Sequence, residues 1–181
     1  ILDEEGGDFR ARAVGLAFHR VIELVCKHGP DQWTPERIKM KSKAIASMLL
    51  RDGYPSTEIV VGVNRVIELI EATLSNEKGR WITKPRQSAG QEVQISMLNN
   101  GRWVNRYLDL NFIEDDTMWI IDWKTGAAPA GMSVEDFIKR ESVRYAAKME
   151  EYALAAKAAG IMLRIKKALF FPAHGVFVEL P

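Results

Sequence analysis

The chain has 181 residues, 47% of them hydrophobic and 27% charged, with a formal net charge of +1. That balance suits one globular domain and excludes a disordered or collagen-like chain. A single cysteine, Cys26, excludes an internal disulfide framework, a four-cysteine zinc site and a cysteine-ligated iron–sulfur cluster, and no apolar run reaches the roughly 18–20 residues that cross a bilayer.

The opening ILDEEGGDFR has no basic segment followed by an apolar stretch, so no signal peptide is expected and a reducing, cytoplasmic setting is. Ile1 is an unusual first residue and reads as the start of a domain excised from a longer chain, the expectation being one domain over residues 1–181. From Phe9 to about Lys27, Val14, Phe18, Val21 and Val25 recur with Ala17, Ile22 and Leu24 beside them, a helical stripe that Gly29-Pro30 stops. Thr34-Pro35 supplies a cap and a first-turn proline for a helix to about Arg51, and Pro55-Ser56-Thr57 begins another to about Leu74.

The period then changes. Gln91–Leu98 and Arg102–Ile113 read as strands joined at Asn99-Asn100-Gly101, and a polar turn at 114–117 leads into a third strand, Met118–Lys124. Ser133 and Asp136 resemble a capping box opening a long helix, or a broken pair, that Gly160 ends near Ala159. Lys166–Phe171 and Val176–Leu180 read as a last hairpin. The expected fold is α/β: a central mixed sheet, antiparallel hairpins within it, flanked by helices.

Strand register carries the chemistry. With Asn100-Gly101 as a two-residue turn, paired residue numbers sum to about 201 and Glu92 lies opposite Asp109. With Asp115-Asp116 as the next turn the sum is about 231, and Asp109 lies opposite Asp122. Opposed side chains stand about 4.5–5.5 Å apart at Cβ, so three carboxylates in one row repel unless a cation compensates. Hard Mg²⁺ takes carboxylate oxygens, and Lys124, two residues past Asp122, projects on the same face, where it could help deprotonate an attacking water or stabilise charge on a phosphate. Read from the residues alone, Asp109 and Asp122 could instead be charges that discourage edge aggregation, with Lys124 an ion-pair partner.

The run Arg106-Tyr107-Leu108-Asp109-Leu110, followed by Trp119-Ile120-Ile121-Asp122-Trp123-Lys124-Thr125-Gly126, resembles the PD-(D/E)XK nuclease superfamily, in particular its RecB-like branch. Gly15-Leu16-Ala17-Phe18-His19-Arg20-Val21-Ile22-Glu23 resembles that branch's early histidine helix, and Tyr145 to Tyr152 its tyrosine-containing helix. The resemblance implies a restriction-endonuclease-like fold in which His19, Asp109, Asp122 and the Trp123 carbonyl hold one or two Mg²⁺ or Mn²⁺ ions. Lys124 would be the catalytic lysine, and Glu92 resembles an earlier acidic position. It also implies a DNA exonuclease acting in recombination and double-strand-break repair, attached to a superfamily 1 helicase of the RecB/AddA type, at the nucleoid of a bacterial cytoplasm and not on a membrane. The chain departs from the pattern twice: Arg106 stands where the family usually has glycine, and Lys148 where it usually has glutamine.

Arg106, Thr125, Tyr145, Lys148 and Tyr152 are the candidate DNA contacts. Tyr145 and Tyr152 share a helical face, a spacing that core packing more often explains, with base stacking as the alternative. Lys39, Lys41, Lys43 and Arg51 form one basic helix and Arg140, Arg144 and Lys148 another, able to hold a phosphodiester backbone without reading sequence. His19 has Glu23 one turn on, a partner for its second nitrogen. Cys26 reads as a small buried hydrophobe. Two further readings remain: a catalytically inactive nuclease-fold module that binds DNA inside a helicase complex, and a structural scaffold without metal.

Overall fold

The first helix, α1 (Phe9–His28), buries Ala13, Val14, Ala17, Phe18, Val21, Ile22, Val25 and Cys26, the stripe that its three- and four-residue spacing lays down. The computed structural model describes residues 9–86, 89–99 and 102–181, giving the backbone alone over 91–93, 95–99 and 102–106. The stretch after Thr34, expected as one helix, is two: α2 (Pro35–Lys39) and α3 (Ser42–Arg51). Thr34 caps the first as expected, its hydroxyl accepting from the Arg37 N–H. The break falls at Met40-Lys41, where the Ser42 hydroxyl donates to the Lys39 carbonyl, so a side chain satisfies a carbonyl of the last turn.

A turn of 3-10 helix at Ser56–Glu58 leads into α4 (Ile59–Ser75), and α5 (Glu77–Thr83) follows. Sequence patterning gave no sign of α5, which is only 7 residues long. Its one signal is Asn76, extended at φ −91°, whose side chain accepts from the Gly79 N–H. Gly79 itself is required by packing: a Cβ there would stand 2.0 Å from the Thr73 carbonyl oxygen.

The sheet runs β1 (Gly90–Asn99), β2 (Arg102–Glu114), β3 (Thr117–Trp123), β4 (Arg164–Phe171) and β5 (Val176–Leu180) in that spatial order. Only β3 and β4 are parallel, joined by the crossover helix α6 (Val134–Ala158), which is unbroken. Ser133 caps it, accepting from the Asp136 N–H at 3.0 Å while its hydroxyl donates to the Asp136 carboxylate at 2.7 Å. The domain is therefore α/β with a mixed sheet between helices, as expected.

Each face of the sheet has its own core. Leu110, Phe112, Ile121, Trp123, Ala168 and Phe170 pack with α1 to α5, whereas Leu108, Met118, Ile120, Leu169 and Phe171 pack with Phe137, Tyr145, Met149 and Tyr152 of α6. The continuous apolar run through β3 follows from this covering on both faces. Among the described residues, no helix is long and apolar enough to cross a membrane.

Candidate functional site

Both expected registers hold. β1 pairs with β2 from Gly90–Asn111 to Asn99–Arg102, and β2 with β3 from Glu114–Thr117 to Leu110–Ile121. Asn100 and Gly101, the expected first turn, lie outside the described residues. At the second turn Asp115 and Asp116 take φ of 47° and 54°, the left-handed pair that a two-residue hairpin connection demands.

The ladder expected to continue through the aspartates stops one pair short of them. Leu108 belongs to the α6-side core and Leu110 to the opposite one, so strict alternation breaks at Asp109. There β2 parts from β3, and the Asp109 carboxylate fills the fork: its Oδ2 accepts the Trp123 N–H at 3.1 Å and lies 3.8 Å from His19 Nδ1 on α1. The extended backbone of Trp123 points its carbonyl to the same side as its N–H, toward the fork. A cavity of about 10 Å³, at the lower limit for one water, lies among His19, Glu23, Cys26, Asp109 and Trp123.

Asp122 looks the other way out of the fork, toward α6. Its residue is 3% exposed. Lys124 Nζ stands 2.6 Å from Oδ2 and Lys148 Nζ 3.4 Å from Oδ1. Oδ2 receives no well-directed hydrogen bond, so its compensation is charge. The Lys124 ammonium also rests 3.0 Å above the centroid of the Tyr145 ring, with its own backbone N–H held by the Phe170 carbonyl at 2.8 Å. Lys148 lies 5.5 Å from the ring centres of both Tyr145 and Tyr152.

The two carboxylates titrate in opposite directions. Burial, together with repulsion from Asp122, raises Asp109 above the usual carboxylate range, and His19 and the Trp123 N–H only partly offset it. Burial also opposes the ionisation of Asp122, but Lys124 and Lys148 outweigh it and hold that carboxyl low. The Lys148 ammonium is correspondingly raised: burial works against its charge, and Asp122 and Tyr152 more than compensate.

The structure thus brings together His19, Asp109, Asp122, Trp123, Lys124 and Lys148 at the β2–β3 fork, between α1 on one side and α6 on the other. The side chains of Glu92 and Arg106 lie outside the described residues, although the register leaves the Glu92 backbone opposite Asp109. Tyr145 is 7% and Tyr152 1% exposed, both within the α6-side core as core packing of their shared helical face implies, and their rings lie against the Lys124 and Lys148 ammonium groups. Thr125 turns away from the sheet onto α1, where its hydroxyl lies 3.2 Å from the position a Cβ on Gly15 would take. Beyond it opens a groove of about 520 Å³ lined by Arg10, Tyr54, Asn64, Arg65 and Gly126, with Arg10 held by Glu58 at 2.8 Å.

Sequence reading missed the double hold of Lys124 and Lys148 on Asp122. The signal was available in outline, since α6 had to return across the face that bears Asp122. Among the described residues no three His, Cys, Asp or Glu side chains gather closely enough to hold a metal as placed. The donors nonetheless suit a hard divalent ion: two carboxylates and a main-chain carbonyl, an imidazole at the cavity wall, and a buried oxygen of Asp122 compensated by charge alone. A scan against protein-family models and a search of curated proteins both find no match to this chain.

Proposed function

We propose that this chain is a divalent-metal-dependent DNA nuclease of the PD-(D/E)XK type. The observation that carries the reading is the pair of aspartates on adjacent strands where β2 leaves β3, Asp109 accepting the Trp123 N–H at 3.1 Å and Asp122 with Lys124 Nζ 2.6 Å away. Nothing in a structural ion pair calls for a second, charge-repelled carboxylate at that place. Asp109, Asp122 and the Trp123 carbonyl would hold Mg²⁺ or Mn²⁺, with His19 as a further ligand. Such an ion, when bound, would supply an activated water for in-line attack on a phosphodiester and would neutralise charge on the leaving oxygen.

The chain's own residues divide the remaining work. Asp122 and the Tyr145 ring fix the Lys124 ammonium, which can donate to and orient the attacking water and meet charge developing on the phosphate. Lys148 stands beside it as a phosphate contact, positioning a backbone without reading bases. The reading extends to exonuclease-type hydrolysis in recombination and double-strand-break repair, carried out beside a helicase domain or subunit in a bacterial cytoplasm, at the nucleoid. A second reading, a nuclease-fold module that binds DNA without cutting it, is favoured by one observation: both Asp122 oxygens already have ammonium partners.

Incubation with end-labelled linear DNA and with covalently closed circular DNA, in Mg²⁺ and in chelator, separates the two. The expected result is metal-dependent loss of label from linear ends with the circle left intact. Salt-sensitive binding with no cleavage in Mg²⁺ or Mn²⁺ would transfer the chain to the second reading.

A further inference from the structure

Charge at the fork nearly balances without any added ion. Asp109 and Asp122 bring two negative charges, and Lys124 and Lys148 two positive ones, around an Asp122 that is 3% exposed. A divalent cation added there leaves an excess of two positive charges in a poorly solvated place, where repulsion is weakly screened. Each phosphodiester that enters removes one of them.

The two ammonium groups are not equivalent. Lys124 is pinned by a 2.6 Å ion pair, by the Tyr145 ring and by a short tether to β3. Lys148 reaches Asp122 Oδ1 from α6 at a longer 3.4 Å, and its side chain is about twice as exposed, 27% against 14%. Of the two, Lys148 is the one free to swing from the carboxylate to an incoming anion. Its flexible stem ends in a compact charge suited to either partner.

We propose that Lys148 is an internal counter-ion that makes divalent-cation capture conditional on nucleic acid: it holds Asp122 Oδ1 until a backbone phosphate draws its ammonium away and frees that oxygen as a ligand. The proposal rests on the nuclease reading and assigns Lys148 a positioning role in it. Asp122 would then stay closed to the cation until substrate arrives, which restricts hydrolysis to loaded enzyme.

The test is Mn²⁺ binding followed by electron paramagnetic resonance, on wild type, Lys148→Gln and Lys148→Arg. Each is measured alone, with a phosphorothioate-linked oligonucleotide, which carries the backbone charge and resists cleavage, and with its uncharged methylphosphonate analogue. Folding of every variant is checked by circular dichroism. In wild type the charged oligonucleotide is expected to tighten Mn²⁺ binding about tenfold or more and the uncharged one to leave it unchanged. Lys148→Gln is expected to bind Mn²⁺ about tenfold more tightly than wild type with no oligonucleotide, and to gain little when one is added; Lys148→Arg, which keeps the charge, should behave as wild type. Equal Mn²⁺ affinity of wild type and Lys148→Gln in the absence of nucleic acid overturns this proposal alone. Failure of every protein to bind Mn²⁺ under any condition overturns the nuclease reading with it.

Discussion

Asp109 and Asp122 are the same residue type on adjacent strands, yet their surroundings drive them apart. Asp122 has two ammonium partners, whereas Asp109 has an imidazole at 3.8 Å and one backbone N–H. Asp109 is therefore a residue kept at a cost to stability. Asp109→Asn, which can still accept from the Trp123 N–H, is expected to raise stability in metal-free buffer by about 1 kcal/mol while abolishing cleavage; a fall in the urea midpoint would contradict it. Glu114 is the opposite case. Burial works against its charge, but Arg86 at 2.9 Å and the Trp81 indole N–H at 2.7 Å outweigh it and hold the carboxyl below its ordinary 4.5. A depressed carboxylate contributes stability that is complete above its unfolded pKa and lost as pH falls through the folded one. Glu114→Gln should thus cost about 1–2 kcal/mol at neutral pH, with the difference from wild type closing in urea titrations as the pH drops below 4.5. Cys26 is inert by burial, which pushes its thiol up to about 12. Iodoacetamide at pH near 8 is expected to label it only in denaturant, and rapid labelling of the native protein would show that the cavity beside Asp109 opens. These environments were not legible in the sequence. The letters suggest Lys124 as a partner for an aspartate but do not assign Lys148 to the same one, because Lys148 arrives from a helix that starts 10 residues after Lys124.

The β2–β3 hairpin is the element on which the site depends, and its register was legible for a physical reason. A two-residue connection admits one pairing, and that pairing fixes every opposed residue back to Leu110–Ile121. What the letters hide is the last step, where the ladder stops and the chain alternation breaks at Asp109 so that the carboxylate turns into the fork. That break belongs to the packing of Leu108 against α6, not to local sequence. The turn is built from Asp115 and Asp116, both left-handed, a conformation that disfavours residues carrying a Cβ. Asp116→Gly should raise stability by roughly 0.5–1 kcal/mol, read as a higher melting temperature with cleavage unchanged; a lower melting temperature would mean that the aspartate side chain stabilises the turn more than its backbone strain costs. The helices give the same lesson in smaller form. α1 and α6 were readable from periodicity and from the Ser133 cap, whereas the break at Met40-Lys41 and the seven-residue α5 depend on single side-chain contacts, Ser42 to Lys39 and Asn76 to Gly79.

At the scale of the whole molecule the site joins two layers that share no core. His19 comes from the helices on one face of the sheet, Tyr145 and Lys148 from α6 on the other, and the strands between them supply the carboxylates. The fold class followed from the order of elements alone, helices then three strands then a helix and two more strands. The convergence at the fork followed only in part, since sequence reading placed the carboxylates and Lys124 but not what holds them. Because both layers contribute, loosening either one should blunt the chemistry before it unfolds the domain. Gly15→Val, which places bulk against Thr125 where α1 meets the loop after β3, is expected to lower cleavage several-fold with little loss of secondary structure by circular dichroism. The most direct measurement is the rate of hydrolysis of linear DNA in Mg²⁺ by wild type and by Asp122→Asn at equal concentrations of folded protein. The expected result is a fall of at least about 10²-fold in the variant; equal rates would contradict the assignment of the fork as the catalytic centre.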